Sequence, residues 1–109
     1  MADVNAAASA YGDGRTALQA AAEGGHRAVV ERLLQQKADV NAHGYNGRTA
    51  LQAAAEGGHL AVVERLLQQK ADVNAAATGA RYKGRTALQA AAEGGHLAVV
   101  ERLRIAGAR

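Results

Sequence analysis

The 109-residue chain contains no cysteine, no phenylalanine and no tryptophan, and only one methionine. Without a thiol there can be no disulfide framework, no thiolate metal site and no cysteine nucleophile, and the compartment is left open on redox grounds. Hydrophobic residues make up 49% of the chain, but alanine dominates that share. A core of this composition must form by close approach of backbones, with Val and Leu as the filling. No apolar run approaches the ~18 residues of a membrane span. The opening MADVNAAASAYGDG lacks the basic-then-apolar order of a signal peptide. These absences predict a soluble, cytoplasmic chain with no membrane association. Ser9 is the only serine and stands among alanines in a loop, so no Ser/His/Asp constellation is expected. The reading is of a non-enzyme with no catalytic, cofactor-binding or metal-binding residues. The formal charge of +3 and pI of 9.7 favour a mildly acidic partner.

What the chain does have is repetition. The block GRTALQAAAEGGH begins at Gly14, Gly47 and Gly84, and each copy continues into AVVERL. A second block, ADVNA, begins at Ala2, Ala38 and Ala71. Successive starts are 33 and 37 residues apart for the first block and 36 and 33 for the second, so one 33-residue unit underlies both. The size prior gives a single domain over 1–109, divided into repeats over roughly 6–41, 42–74 and 75–109. All the added length falls between ADVNA and GRT. Asn41 precedes Gly47 by 6 positions, Asn5 precedes Gly14 by 9, and Asn74 precedes Gly84 by 10. Insertions confined to one connection predict that it projects into solvent, since lengthening a packed segment would break the stack.

Each unit reads as two short helices. Thr16, Thr49 and Thr86 precede ALQAAAE, a run of strong helix formers ended by Gly-Gly. Threonine is a good helix N-cap because its hydroxyl accepts a bond from an otherwise unpaired N–H. This first helix spans about two turns. The second is predicted from around His26 to Gln36, with Val29, Val30, Leu33 and Leu34 on one apolar face and Glu31, Arg32, Gln35 and Gln36 away from it. Neither helix is long enough to stand alone in water, so pairing and stacking must stabilise both.

Together these features resemble the ankyrin repeat across essentially the whole chain. The pattern T-P-L-H-x-A that opens such a repeat reads here Thr49-Ala50-Leu51-Gln52-Ala53-Ala54, and the Gly58-His59, Val62-Val63, Leu66-Leu67 and Ala71–Ala75 segments also fit. The resemblance implies an all-α ankyrin-repeat solenoid: three stacked helix-turn-helix repeats with projecting finger loops, two of them extended. In such an architecture first helices line a concave face, second helices form the back, and binding is protein–protein recognition by fingers and concave face. Three departures stand out. Ala replaces the usual Pro and Gln the usual His of the opening tetrapeptide, so the inter-repeat bonding of that His must be rebuilt with Gln. Lys37 and Lys70 stand where a glycine generally ends the second helix, a place held by Gly107 in the last repeat. If the left-handed conformation is kept, a side chain there costs on the order of 1 kcal/mol, so the expectation is a shifted or strained helix end. Repeats this alike point to consensus engineering or recent duplication, and the reading favours an engineered or consensus-like protein.

Positions that break the repetition are informative. Arg27 stands where the later copies have Leu60 and Leu97, and Arg104 where the earlier ones have Leu34 and Leu67. The expectation is that Leu60 and Leu97 pack on the preceding repeat and Leu34 and Leu67 on the following one, making the two arginines caps of a closed stack.

The candidate protein-binding residues lie mainly in the fingers. Tyr11, Tyr45 and Tyr82, the only aromatics, fall one to a finger, and Tyr offers large contact area at low entropic cost. Asp13, His43, Asn46, Arg81 and Lys83 are their finger neighbours. Arg15, Arg48 and Arg85 follow the finger glycine in every copy and could form a basic row, offset by Glu23, Glu56 and Glu93 at the other end of the first helix. That row carries an alternative reading, an anion or nucleic-acid binder, with nucleic acid the less expected partner; a third reading is an engineered scaffold with no natural ligand. The recurring His26, His59 and His96 are not spaced as metal ligands. The resemblance gives them a structural role, bonding backbone between repeats. The chain is expected to be a monomer with at most weak self-association.

Overall fold

The computed structural model describes residues 16–43, 47–78 and 83–109. Tyr11, Asp13, Arg15, Tyr45, Asn46, Arg81 and Tyr82 lie outside the described residues. Within them the chain forms six helices: α1 (Ala17–Glu23), α2 (Arg27–Gln35), α3 (Ala50–Gly57), α4 (Leu60–Gln68), α5 (Ala87–Glu93) and α6 (Leu97–Ile105). Each repeat contributes one pair, and the pairs stack in sequence order, α1 on α3 on α5 inside and α2, α4 and α6 behind them.

Local chemistry sets the helix limits. The Gln19, Gln52 and Gln89 backbone N–H groups donate to the hydroxyls of Thr16, Thr49 and Thr86, and Gln52 and Gln89 return the bond by accepting from the Thr49 and Thr86 N–H. At the other end of each first helix, Gly25, Gly58 and Gly95 adopt φ of 71°, 72° and 73° and turn the chain into the second helix. The second helices end the same way. Lys37 N–H donates to Leu34 O and Ala38 N–H to Leu33 O, which closes the helix only if Lys37 is left-handed. It is, at φ 66°, and Lys70 matches it at φ 66°. The glycine geometry is therefore kept without the glycine. Gly107 closes α6 by the same pair of bonds, at φ 105°.

The core follows from the alanines. In α3 every residue from Ala50 to Ala55 is buried, because repeats press on it from both sides and only small side chains let backbones come that close. The outer helices bury one stripe each: Val62, Val63 and Leu66 in α4, and Val99, Val100 and Leu103 in α6, but only Val30 in α2. The inner helices pack on one another far more closely than the outer ones do.

Candidate interaction surface

Each inner helix carries an arginine before its start and a glutamate near its end, eight positions apart. In the second repeat Arg48 Nη2 donates to Glu56 Oε2 at 2.6 Å, so the arginine lies along the helix with its charge met inside its own repeat. The Arg48 side chain is only 5% exposed, against 42% for Glu56. Arg85 and Glu93 pair likewise in the third repeat. The two described arginines of the row, Arg48 and Arg85, are thus ion-paired, with the carboxylates the more exposed members. Between the second and third pairs lies a small cavity lined by Arg48, Glu56, Ala77 and Arg85, and the buried Nε of Arg85 has no hydrogen-bond partner. Glu23 occupies the corresponding end of α1 and is half-buried.

The finger bases are tied together. Ala77 N–H donates to Arg85 O at 2.8 Å and Gly84 N–H to Ala77 O at 2.8 Å, giving the third finger a ladder-like root. Thr78 N–H then donates to Gly47 O at 2.9 Å, joining that root to the start of the second repeat. His43 is exposed at the entry to the second finger and Lys83 at the exit of the third.

The other recurring polar residues face the neighbouring repeat. His59 Nε2 donates to Glu23 O at 2.9 Å and His96 Nε2 to Glu56 O at 3.0 Å, as the resemblance implied. Gln52 rebuilds the missing histidine's bonds, its Nε2 donating to Ala75 O and Arg85 O in the next repeat. Two further sets went unread in the sequence. Asn41 Nδ2 donates to Lys70 O while its Oδ1 accepts from Asp72 N–H, and Asn74 does the same with Gly107 and Arg109. On the outer helices Arg65 pairs with Glu31 and Arg102 with Glu64, each reaching back one repeat. The signal was present: Asn inside ADVNA and the Glu-Arg pair inside AVVERL recur with the period.

The expectation for Arg27 needs correction. Leu97 has a repeat before it and none after it, yet it is 74% exposed, whereas Leu60, which has both, is half-buried. The covering side is therefore the following repeat. Arg27 is exposed and borders a groove with Ala61, Glu64, Arg65 and Gln68 of α4, so it lies on the side of the following repeat rather than on an outer end. Arg104 fits its expectation, being exposed where Leu34 and Leu67 are half-buried.

With period, paired helices and inter-repeat bonding in place, the class is a stacked helical-repeat protein. A family model described as ankyrin repeats in three copies matches residues 1–77 and 46–109, and the chain belongs to that family. Its members are generally protein–protein interaction modules. A search of curated proteins found no match. Among the described residues no helix is long and apolar enough to cross a membrane, and no group of three His, Cys, Asp or Glu side chains could hold a metal ion.

Proposed function

We propose that the chain is a non-enzymatic recognition module that holds a protein partner against its fingers and the inner-helix face. The observation that carries this reading is how the verbatim-repeated polar residues are used. Thr49, Gln52, Asn41, Asn74, His59, His96, Arg48 and Arg85 are all engaged with the chain itself. Chemistry for a partner then falls to the residues between the repeated blocks, in the fingers: Tyr11, Asp13, His43, Tyr45, Asn46, Arg81, Tyr82 and Lys83. To these we add Arg15 from the sequence and, on the inner helices, Glu23, the exposed carboxylates of Glu56 and Glu93, and Arg48 and Arg85. The net charge of +3 favours an acidic partner surface. Pairing of Arg48 with Glu56 and of Arg85 with Glu93 weighs against a bare anion-binding row.

The test is a capture experiment from one lysate with three baits: the native chain, Tyr45→Ala/Tyr82→Ala, and a version whose first and third fingers are trimmed to the length of the second. The expected outcome is partner loss in both altered baits with circular dichroism unchanged. Equal capture by all three overturns the proposal.

A further inference from the structure

The repeats are joined by a fixed set of half-contacts, and the two ends of the stack display the unused halves. Three are directly visible. A histidine ring from each later repeat lies over the glycine that ends the preceding first helix. A β-carbon on Gly25 would lie 2.6 Å from His59 Nδ1, and one on Gly58 would crowd His96 in the same way, but one on Gly95 would meet nothing within 4 Å. The same histidines reach the Glu23 and Glu56 carbonyls. His26, by contrast, is exposed and has no preceding repeat to reach.

The outer ladder behaves alike. Glu31 holds Arg65 and Glu64 holds Arg102. Among the described residues, Arg32 at one end and Glu101 at the other are left without a partner; both are exposed.

Apolar surface follows the same rule. Val29 is 50% exposed, while its counterparts Val62 and Val99, each covered by a preceding repeat, are at 2% and 1%. It borders an open groove with Ala28, Arg32 and Gln35, in the same register as the α4 groove that Arg27 borders. At the far end, Leu97, the counterpart of Arg27, has no groove to enter and stands in solvent. Gln89 and Ala92 are also exposed there, whereas Gln19, Gln52, Ala22 and Ala55 are buried under the following repeat.

We propose that the chain stacks head to tail on further copies of itself, the first repeat of one molecule serving as the following repeat of another. In that junction Leu97 enters the groove beside Ala28 and Val29, Glu101 meets Arg32, and the His26 ring seats over Gly95 with the Glu93 carbonyl as its acceptor. Each is the contact already made twice, or its counterpart, within the chain. The occupant is a second copy rather than another protein because charge, apolar area and backbone acceptor match simultaneously at one register. Two features make the junction weaker than an internal one. Arg104 stands where Leu67 packs, and in the sequence Ala108-Arg109 take the repeat positions that Ala2-Asp3 of the next copy also claim. The contact joins two different faces, so it does not close on itself and growth is open-ended. It does not draw on the side chains of the recognition proposal, so its failure would leave that proposal standing.

Sedimentation velocity on the full chain, from about 10 μM to about 1 mM, provides the test. The expected result is a weight-average mass that rises continuously past that of a dimer. A constant monomer mass overturns the proposal, and so does a plateau at dimer, which would mean a self-complementary contact elsewhere. Arg32→Glu and Glu101→Arg each place like charges across the junction and should weaken association about tenfold. Mixed in equal amounts, the two variants restore opposite charges at every junction and should associate like the native chain. If each alone associates as strongly as the native chain, or the mixture stays as weak as its components, the junction is not this one. Both positions are exposed, and unchanged circular dichroism in the variants confirms that the comparison is between folded chains.

Discussion

His59 of the second repeat donates from Nε2 to the carbonyl oxygen of Glu23 in the first, 2.9 Å away, so a side chain at the start of one outer helix caps the inner helix of its neighbour. His96 repeats this bond with Glu56 at 3.0 Å.

Sequence-identical histidines should therefore differ in their contribution. His59→Ala and His96→Ala are expected to lower stability by about 1–2 kcal/mol each, since each leaves a helix-terminal carbonyl without its donor. His26→Ala, with no repeat to cap, should change it by less than about 0.5 kcal/mol. Urea denaturation of the three variants checks the order. Three equal losses would place the role inside each repeat and refute the inter-repeat account.

A similar contrast separates the glutamines. Gln52 is buried and spans to two carbonyls of the next repeat, so Gln52→Ala should cost about 2 kcal/mol; the exposed Gln89 should cost less than about 1. Gln19 differs in sign. It is fully buried, yet neither of its side-chain amide atoms has a partner. Gln19→Met, which removes the unpaired polar atoms at similar volume, should raise stability by about 1 kcal/mol. A loss on thermal melting would show that the amide finds partners after all.

The left-handed lysines offer a gain. Lys37→Gly and Lys70→Gly should each stabilise by about 1 kcal/mol, because glycine meets no steric penalty at φ 66°. The double variant should show roughly the sum, as the sites lie in different repeats. Unchanged or lowered chemical-denaturation midpoints would mean that these lysines are not strained.

Ion pairs should separate by burial rather than by length. Arg48→Ala is expected to cost about 2 kcal/mol, since it removes a buried stem as well as a charge. Arg65→Ala and Arg102→Ala, whose pairs lie on the partly exposed outer face, should each cost less than about 1 kcal/mol and become smaller still in high salt. Equal costs, or costs independent of salt, would contradict this assignment.

The period, Thr caps and alanine-rich helix blocks make the solenoid legible in the sequence itself. The apolar stripe puts the second helix within a residue of α2, whereas the left-handed turn at Lys37 is a finding of the structure, because lysine in the glycine place leaves a shifted helix end equally open. Inter-repeat partners were harder to read. Glu31 and Arg65 are 34 residues apart, and a helix pattern says only that each lies off the apolar face, not that the stack brings them together. Leu97 shows the limit most clearly. Leucine at that position could face the repeat before or after it, and only the three-dimensional offset between outer helices decides which. The finger residues resist reading for another reason: Tyr11, Tyr45 and Tyr82 fall in loops of unequal length, where no helix or strand period dictates the direction of a side chain.

The bond from Thr78 N–H to Gly47 O carries one more consequence. Because the root of the third finger is fastened to the segment from which the second repeat starts, these two fingers do not have independent hinges. A ligand that levers the third finger sideways must also strain the second repeat's entry at Gly47, much as bending one tooth of a comb loads the spine beneath the next.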